Sequence, residues 1–216
     1  MTFQQYLMLF LLIMMALAFP YYIRANVKTR LRKCNEKNDI EGSLKILDGR
    51  LYSYLFGKYA VLWGKIQLFM ATNDMERLAE TLNAVIDGRF SKKEKNQAIS
   101  TTFFFFVDAQ DKEMCKKQLK FLKDSAKAEE YEFDRAMFRM LVDHSATEDD
   151  VEIIKEKLDA LKNVKGNHSS QIGIMEYMLG VHYSDNGNKH EAKRYLRDAR
   201  LHLKDTPYHS KIKKML

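Results

Sequence analysis

Apolar and polar positions divide the chain into two regions. From Tyr6 to Ile23, eighteen consecutive residues carry no charged side chain, whereas apolar residues in the remainder recur at helical spacing between polar ones. An α-helix rises about 1.5 Å per residue, so the first region would cover roughly 27 Å, close to the apolar thickness of a bilayer. The pattern therefore predicts an N-terminal transmembrane helix followed by a helical body.

The body of the chain repeats with a period of 35 to 39 residues. Five segments begin with Asp or Asn, which can cap the free amides of a first helical turn, and continue with apolar residues at helical spacing. These segments are Asp39–Ser53, Asp74–Gly88, Asp111–Ser125, Asp150–Leu161 and Asn188–Leu203. A sustained period of this length is typical of stacked helical hairpins.

A second apolar stripe precedes each segment and predicts the first helix of each hairpin. These first helices are expected at Arg24–Asn35, Lys58–Ala71, Glu94–Ala109, Tyr131–His144 and Ser170–Asp185. The first of them would continue directly out of the membrane span. The predicted fold is all-α, a transmembrane helix (1–23) and an α-solenoid of about five hairpins (24–206), with a short capping helix at 207–216.

The last hairpin resembles a tetratricopeptide repeat, whose pattern is W-x2-L-G-x2-Y followed by a small, a bulky and another small residue. The matching residues are Leu179, Gly180, Tyr183, Ala192, Leu196 and Ala199. Glu176 stands at the position of the Trp, and Pro207 comes three residues later than the usual terminal proline. In the other hairpins the resemblance rests on period and pattern. It implies a concave surface that binds a peptide or protein partner.

The apolar N-terminal stretch is either a retained anchor or a cleaved signal peptide. Ala16-Leu17-Ala18 resembles a cleavage site, but the first five residues hold no Lys or Arg, so the basic region of a signal peptide is missing. We therefore expect an uncleaved anchor in the cell membrane. Because the basic residues follow the span, the N-terminus is expected outside and the C-terminal domain in the cytoplasm.

Five basic side chains follow the apolar stretch within ten residues: Arg24, Lys28, Arg30, Arg32 and Lys33. We expect them at the membrane surface, where they either set the topology alone or also bind anionic lipid. The formal net charge is +7, concentrated at the two ends of the chain, and residues 34–192 are mildly acidic. This distribution argues against a nucleic-acid surface along the body.

No sequence motif for catalysis, nucleotide binding or metal binding is present. Cys34 and Cys115 are isolated, which favours structural, reduced thiols. We therefore expect no enzyme, no cofactor, no metal and no small-molecule substrate.

The run from Phe103 to Phe106 has two interpretations, because four consecutive residues cannot share one helix face. The helix is buried on all sides, or Phe104 and Val107 face the concave surface while Phe103 and Phe106 pack within the hairpin. The same register places further side chains on that surface. The predicted partner-binding residues are Trp63, Gln67, Phe104, Val107, Tyr177, Val181, Ser184 and Asp185.

The leading functional hypothesis is a membrane-tethered scaffold or adaptor that binds a cytoplasmic protein or peptide in this groove. Two alternatives stay open: a receptor or chaperone-like factor for precursor or nascent proteins, and an RNA- or ribosome-associated factor that uses the basic C-terminal end. The array resembles membrane-anchored tetratricopeptide proteins of bacterial envelope assembly. Some of those carry a metal-binding CxxC module, which this sequence lacks.

Overall fold

The computed structural model describes the backbone of residues 3–216, together with the side chains of Met8, Phe10, Met14, Met15 and all residues from Leu17 onward. Every regular element in this range is helical, which confirms the predicted all-α class. The α-helices are α1 Phe3–Glu36, α2 Ile40–Leu47, α3 Arg50–Phe56, α4 Lys58–Ala71, α5 Met75–Asp87, α6 Lys92–Asp108, α7 Lys112–Ser125, α8 Ala128–Phe138, α9 Glu148–Lys162, α10 Ser169–Asp185, α11 Lys189–His202 and α12 Pro207–Met215.

The chain forms two compact units, residues 1–98 and 99–216, and the boundary falls inside α6. Sequence analysis predicted one repeat domain over 24–206. Helical hairpins are present within the units, with α4 packed on α5 in the first and α10 packed on α11 in the second. Their arrangement into one solenoid stays a prediction.

Helix α1 is continuous from Phe3 to Glu36, with Pro20 inside it, as expected for a first hairpin helix that extends the N-terminal one. Its C-terminal half has one protected stripe, in which Val27 is buried and Ile23, Leu31 and Cys34 are half-buried. These residues recur every three or four positions, so they share the face that packs on α2.

Over the described residues, no helix has a stretch long and apolar enough to cross a bilayer. The predicted anchor covers residues 1–23, and the side chains at positions 1–7, 9, 11–13 and 16 lie outside the described part of the chain. The anchor therefore stays a prediction.

One type of turn joins two helices at four places. In each, a residue with positive φ precedes the capping Asp or Asn; these residues are Asn38, Asn73, Gln110 and Gly187, with φ of 53°, 53°, 59° and 74°. The amide of the capping residue donates a hydrogen bond of 2.9 Å to the carbonyl five residues earlier. This bond closes the preceding helix in a Schellman-type motif.

The same capping residue also starts the following helix. The side chains of Asp39, Asp74, Asp111 and Asn188 each accept a hydrogen bond from the backbone amide three residues later. One residue thus satisfies backbone groups of two helices, and its side chain replaces a missing intrahelical partner. Four of the five predicted repeat starts are therefore confirmed as helix caps.

The fifth predicted start, Asp150, is wrong. Helix α9 begins at Glu148 with Thr147 as its cap, and Asp150, the third residue of the helix, completes a capping box with Thr147. The Asp150 carboxylate is fully buried, and Arg139 donates to it at 3.1 Å. Burial alone would raise the pKa of Asp150, but hydrogen bonds from Thr147 and Arg139 outweigh it and lower that pKa.

Two predicted helices differ from the observed ones. The predicted helix Asp39–Ser53 is two helices, α2 and α3, separated at Gly49, whose extended backbone ends one and caps the other. The predicted helix Tyr131–His144 begins earlier, at Ala128, and ends in a π-helical turn at Arg139–Asp143. A π turn and a φ of 50° at His144 leave no periodic signal in the sequence.

The apolar residues that recur at helical spacing in the second helix of three hairpins are buried, apart from Leu161. Leu78, Leu82 and Val85 are fully buried. The exposed fraction is also 8% or less for Cys115, Leu119, Leu122, Ile154 and Leu158. Leu161 is half-buried. Burial of one large apolar side chain contributes about 1.5 to 3 kcal/mol to the free energy of folding. These buried faces therefore account for much of the helix packing within each unit.

Helices α10 and α11 approach closely at Gly180. A Cβ at this position would lie 2.7 Å from the Leu196 side chain and 3.3 Å from the Leu196 backbone nitrogen. Leu196 is itself buried, so it cannot move aside freely. The small residue predicted from the tetratricopeptide-like pattern therefore meets a steric requirement.

Gly180→Ala is expected to lower the free energy of unfolding by about 1 to 3 kcal/mol, because overpacking outweighs the helix propensity that alanine adds. Thermal unfolding followed by far-UV circular dichroism measures the change. The exposed Ser170→Ala in the same helix is the control and should be nearly neutral. An equal or higher stability of Gly180→Ala would contradict the close approach.

Asp134 in α8 provides a pH-dependent test. Burial, with a smaller contribution from the Glu130 charge, raises the pKa of Asp134 from 3.8 to about 7. The folded chain then binds more protons than the unfolded chain between these values, so this group's contribution to stability falls as pH rises from about 4 to about 7.

Asp134→Asn should therefore be more stable than the wild type at pH 8, by about 1 kcal/mol or more, and should differ little at pH 3.5. Denaturant unfolding at the two pH values measures this difference. The exposed Asp198→Asn is the control, for which no pH-dependent gain is expected. A gain of equal size at both pH values would disprove the titration argument.

Candidate partner-binding surface

The C-terminal helix α12 lies on residues that the sequence predicted for partner binding. Pro207 is its first residue, and Tyr208 and Ile212, one turn apart, are buried. They form one apolar cluster with Leu196, Ala199 and Leu203, against which Phe104, Ile174 and Tyr177 are partly buried. A short helix is predicted at 207–216 and is observed at Pro207–Met215, and its role as a cap stays a prediction.

Aromatic rings make the central contacts of this cluster. The Tyr208 ring centroid lies 5.2 Å from that of Tyr177 in an edge-on arrangement and 6.0 Å from that of Phe104. Such geometries add about 0.5 to 1.5 kcal/mol per pair to the free energy of area burial. Phe104 of α6 and Tyr177 of α10 are thus brought together through a side chain of α12.

A carboxylate at the end of α6 holds two donors from α12. The Tyr208 hydroxyl donates to Oδ1 of Asp108 at 2.6 Å, and the Lys211 ammonium approaches the same oxygen at 2.6 Å. Lys211 also lies 4.9 Å from the centroid of the Tyr208 ring. Burial, followed by the hydrogen bond and charge of Asp108, raises the pKa of Tyr208 above its usual value, so the hydroxyl stays protonated as a donor.

We name Phe104, Asp108 and Tyr177 the α6–α10 surface. Burial raises the pKa of Tyr177, the nearby Lys211 charge opposes this, and the charges of Asp108 and Asp185 raise it further. Asp185 is itself bound, with its Oδ2 at 2.7 Å from Nδ1 of His144.

The remaining predicted residues of the second unit divide by burial. Ser184 and Asp185 are exposed at the end of α10. Val107 is 0% exposed and Val181 is 7% exposed, so these two side chains belong to the core and do not face a partner. Phe103 and Phe106 are buried as predicted, and the packing on that side of α6 also covers Val107.

Trp63 and Gln67 belong to the first unit and lie on α4. The Trp63 ring stacks on Tyr59 at a centroid distance of 6.2 Å, and the Tyr59 hydroxyl donates to the Glu94 carbonyl at 2.9 Å. Gln67 is exposed and lines a cavity of about 420 Å³, together with Asn35 of α1. Trp63 therefore packs within an aromatic group of its own unit.

The five basic residues predicted at the membrane surface are all exposed on α1. Arg32 pairs with Glu36 at 3.4 Å, and the Lys28 ammonium lies 5.6 Å from the Phe56 ring centroid. Arg30 and Lys33 line an open cleft of about 570 Å³ between α1 and the following helices. Exposed cations of this kind contribute little to folding and are available to a charged surface.

Glu176, at the position of the tetratricopeptide Trp, has a structural role that the sequence did not predict. Its side chain is 1% exposed and lies 2.7 Å from Nδ1 of His202 and 3.1 Å from Nζ of Lys162. The buried carboxylate is thus paired on both oxygens and ties α10 to α9 and α11. Within the described part of the chain, no three His, Cys, Asp or Glu side chains are grouped so that they could hold a metal ion.

Asp108 and Tyr208 are the site residues that sequence reasoning missed. A signal for Tyr208 was available, since Tyr208 and Ile212 are four residues apart after a helix-starting proline and define an apolar face. Asp108 had no such signal. It contacts residues 100 or more positions away, and such a contact appears only in the folded chain.

Comparisons with known proteins give no match, whether by family model, among curated proteins or among solved structures. The resemblance to tetratricopeptide repeats therefore stays a prediction from the sequence. Fold class alone does not determine function, so the functional argument rests on the geometry of the α6–α10 surface.

Proposed function

We propose that the protein is a membrane-tethered scaffold of the tetratricopeptide type, whose α6–α10 surface binds a protein or peptide partner. One observation supports this most: Phe104, Asp108 and Tyr177 together already hold a helix, α12. A surface with aromatic walls and a carboxylate at its edge has the composition of a peptide-binding groove.

The tether in this proposal is the uncharged stretch from Tyr6 to Ile23. Two observations support it: α1 runs on without interruption to Glu36, and the five basic side chains after the stretch are exposed. The N-terminus would face outward and the scaffold would lie in the cytoplasm, on the side of the basic residues.

Specific binding is favoured over the promiscuous capture expected of a chaperone-like factor. Two donors from α12 converge on one oxygen of Asp108, a geometry that discriminates between side chains. Promiscuous surfaces instead rely on flexible apolar contacts.

Membrane retention tests the tether. Replacing Met14 and Leu17 by Arg should release the chain from membranes during alkaline extraction, because each Arg near the centre of a span costs about 2.5 to 3.5 kcal/mol. The matched control replaces Met14 by Leu and Leu17 by Ile and should remain in the membrane fraction. Equal retention of both variants would show that residues 6–23 are not the anchor.

Site-specific photocrosslinking in cells tests the scaffold. A photoreactive residue at the exposed Ser184 of α10 should form discrete protein adducts, whereas one at the exposed Glu156 of α9 should not. Tyr177→Ala should remove the Ser184 adducts while the far-UV circular dichroism spectrum stays unchanged. The same adducts from both positions, or adducts insensitive to Tyr177→Ala, would place binding elsewhere.

A further inference from the structure

We propose that the partner segment is a basic amphipathic helix with an aromatic residue, a lysine three positions later and an aliphatic residue four positions later, and that α12 is its internal competitor. This proposal rests on the proposed function and names the ligand of the same surface. The residues of α12 that carry this spacing are Tyr208, Lys211 and Ile212.

These three side chains share one face of α12, because positions i, i+3 and i+4 are neighbours on a helix. Tyr208 and Ile212 are buried in the cluster, and Lys211 lies beside them with its ammonium on Asp108. The opposite face carries Ser210, Lys213 and Lys214, all exposed. Recognition of α12 therefore depends on the spacing of Tyr208, Lys211 and Ile212, and the residues on its exposed face are not constrained by this contact.

The receiving side has complementary chemistry. Leu203 and Ala199 provide an apolar floor, and the rings of Phe104 and Tyr177 provide the walls. Asp108 at the edge accepts hydrogen bonds from both the Tyr208 hydroxyl and the Lys211 ammonium. The Asp108 carboxylate favours a cationic helix and disfavours an acidic or phosphorylated one.

The contact that holds α12 is small enough to be exchanged. The helix has nine residues and follows α11 after a short link at residues 203–206, and a helix of this length is not stable alone in water. Its retention therefore depends on Tyr208, Ile212 and the two bonds to Asp108. As a tethered ligand it acts at an effective concentration of about 1 mM or more, so a free helix must bind the open surface well to displace it.

The experiment uses the full chain and a fluorescein-labelled peptide of residues 204–216 as probe. In the chain, Ile212→Asp places a carboxylate at a fully buried position and should release the chain's own α12. The released surface should bind the probe at least tenfold more tightly than the wild-type chain does, as measured by fluorescence anisotropy. Equal affinity for the two chains would overturn the proposal.

A charge exchange tests the recognition itself in the Ile212→Asp chain. A probe with Lys211→Glu should lose binding about tenfold, and Asp108→Lys in the chain should restore it. The matched probe with Lys213→Glu, altered on the exposed face, should bind like the unmodified one. Loss of binding with both probes, or no rescue by Asp108→Lys, would show only general charge attraction and would overturn the proposed spacing.

A milder variant covers the case in which Ile212→Asp does not fold. Lys211→Glu in the chain changes a half-exposed side chain, removes its contacts with Asp108 and the Tyr208 ring, and places a like charge beside Asp108, so probe affinity should rise about threefold. No rise in a folded Lys211→Glu chain would contradict displacement. If Ser184 crosslinks a partner but the probe binds neither variant, the scaffold function stands and the proposed ligand is wrong. If the probe binds but Ser184 forms no crosslinks, the surface accepts such a helix and the scaffold function is wrong.

Discussion

Backbone groups at helix ends must find partners, and the way this chain meets that requirement determines its architecture. Twelve helices in the described residues have 24 ends, each with unpaired amides or carbonyls. At four turns a single Asp or Asn bonds to both neighbouring helices. Its backbone amide donates to a carbonyl of the preceding helix, and its side chain accepts from an amide of the following helix. A short turn, closed by the hydrogen bond from the backbone amide of this residue to the carbonyl five residues earlier, then joins the two helices, so the hairpins do not depend on long loops.

This local requirement explains which features the sequence predicted well. Asp39, Asp74, Asp111 and Asn188 mark helix starts because the residue that caps must be polar, short and close in sequence to the amide it binds. The all-α class could be predicted from apolar spacing for the same reason. Helix capping and helical spacing both depend on residues that are only a few positions apart. Asp150 matched the pattern but lies three positions after the observed cap, because Thr147 caps α9 and the Asp150 carboxylate instead pairs with Arg139.

Features set by distant residues could not be predicted in this way. The register placed Phe104 and Val107 on one face, but the packing around α6 covers Val107 completely and leaves Phe104 partly accessible. The pairing of Asp108 with Tyr208 and Lys211 joins residues 100 or more positions apart, and no periodicity records it. Glu176 is similar: the tetratricopeptide-like pattern has an aromatic residue there, and this chain has a carboxylate buried against Lys162 and His202.

The uninterrupted course of α1 has a mechanical consequence. Its 34 residues form a rod of about 51 Å, longer than the apolar layer of a bilayer is thick. Under the proposed tether, the part beyond Ile23, about 20 Å long, is itself the first helix of the first hairpin, so this hairpin would begin directly at the membrane surface. No flexible linker interrupts α1 between Phe3 and Glu36, so the first unit would drift sideways with the lipid, in two dimensions, at a nearly constant distance from the headgroups.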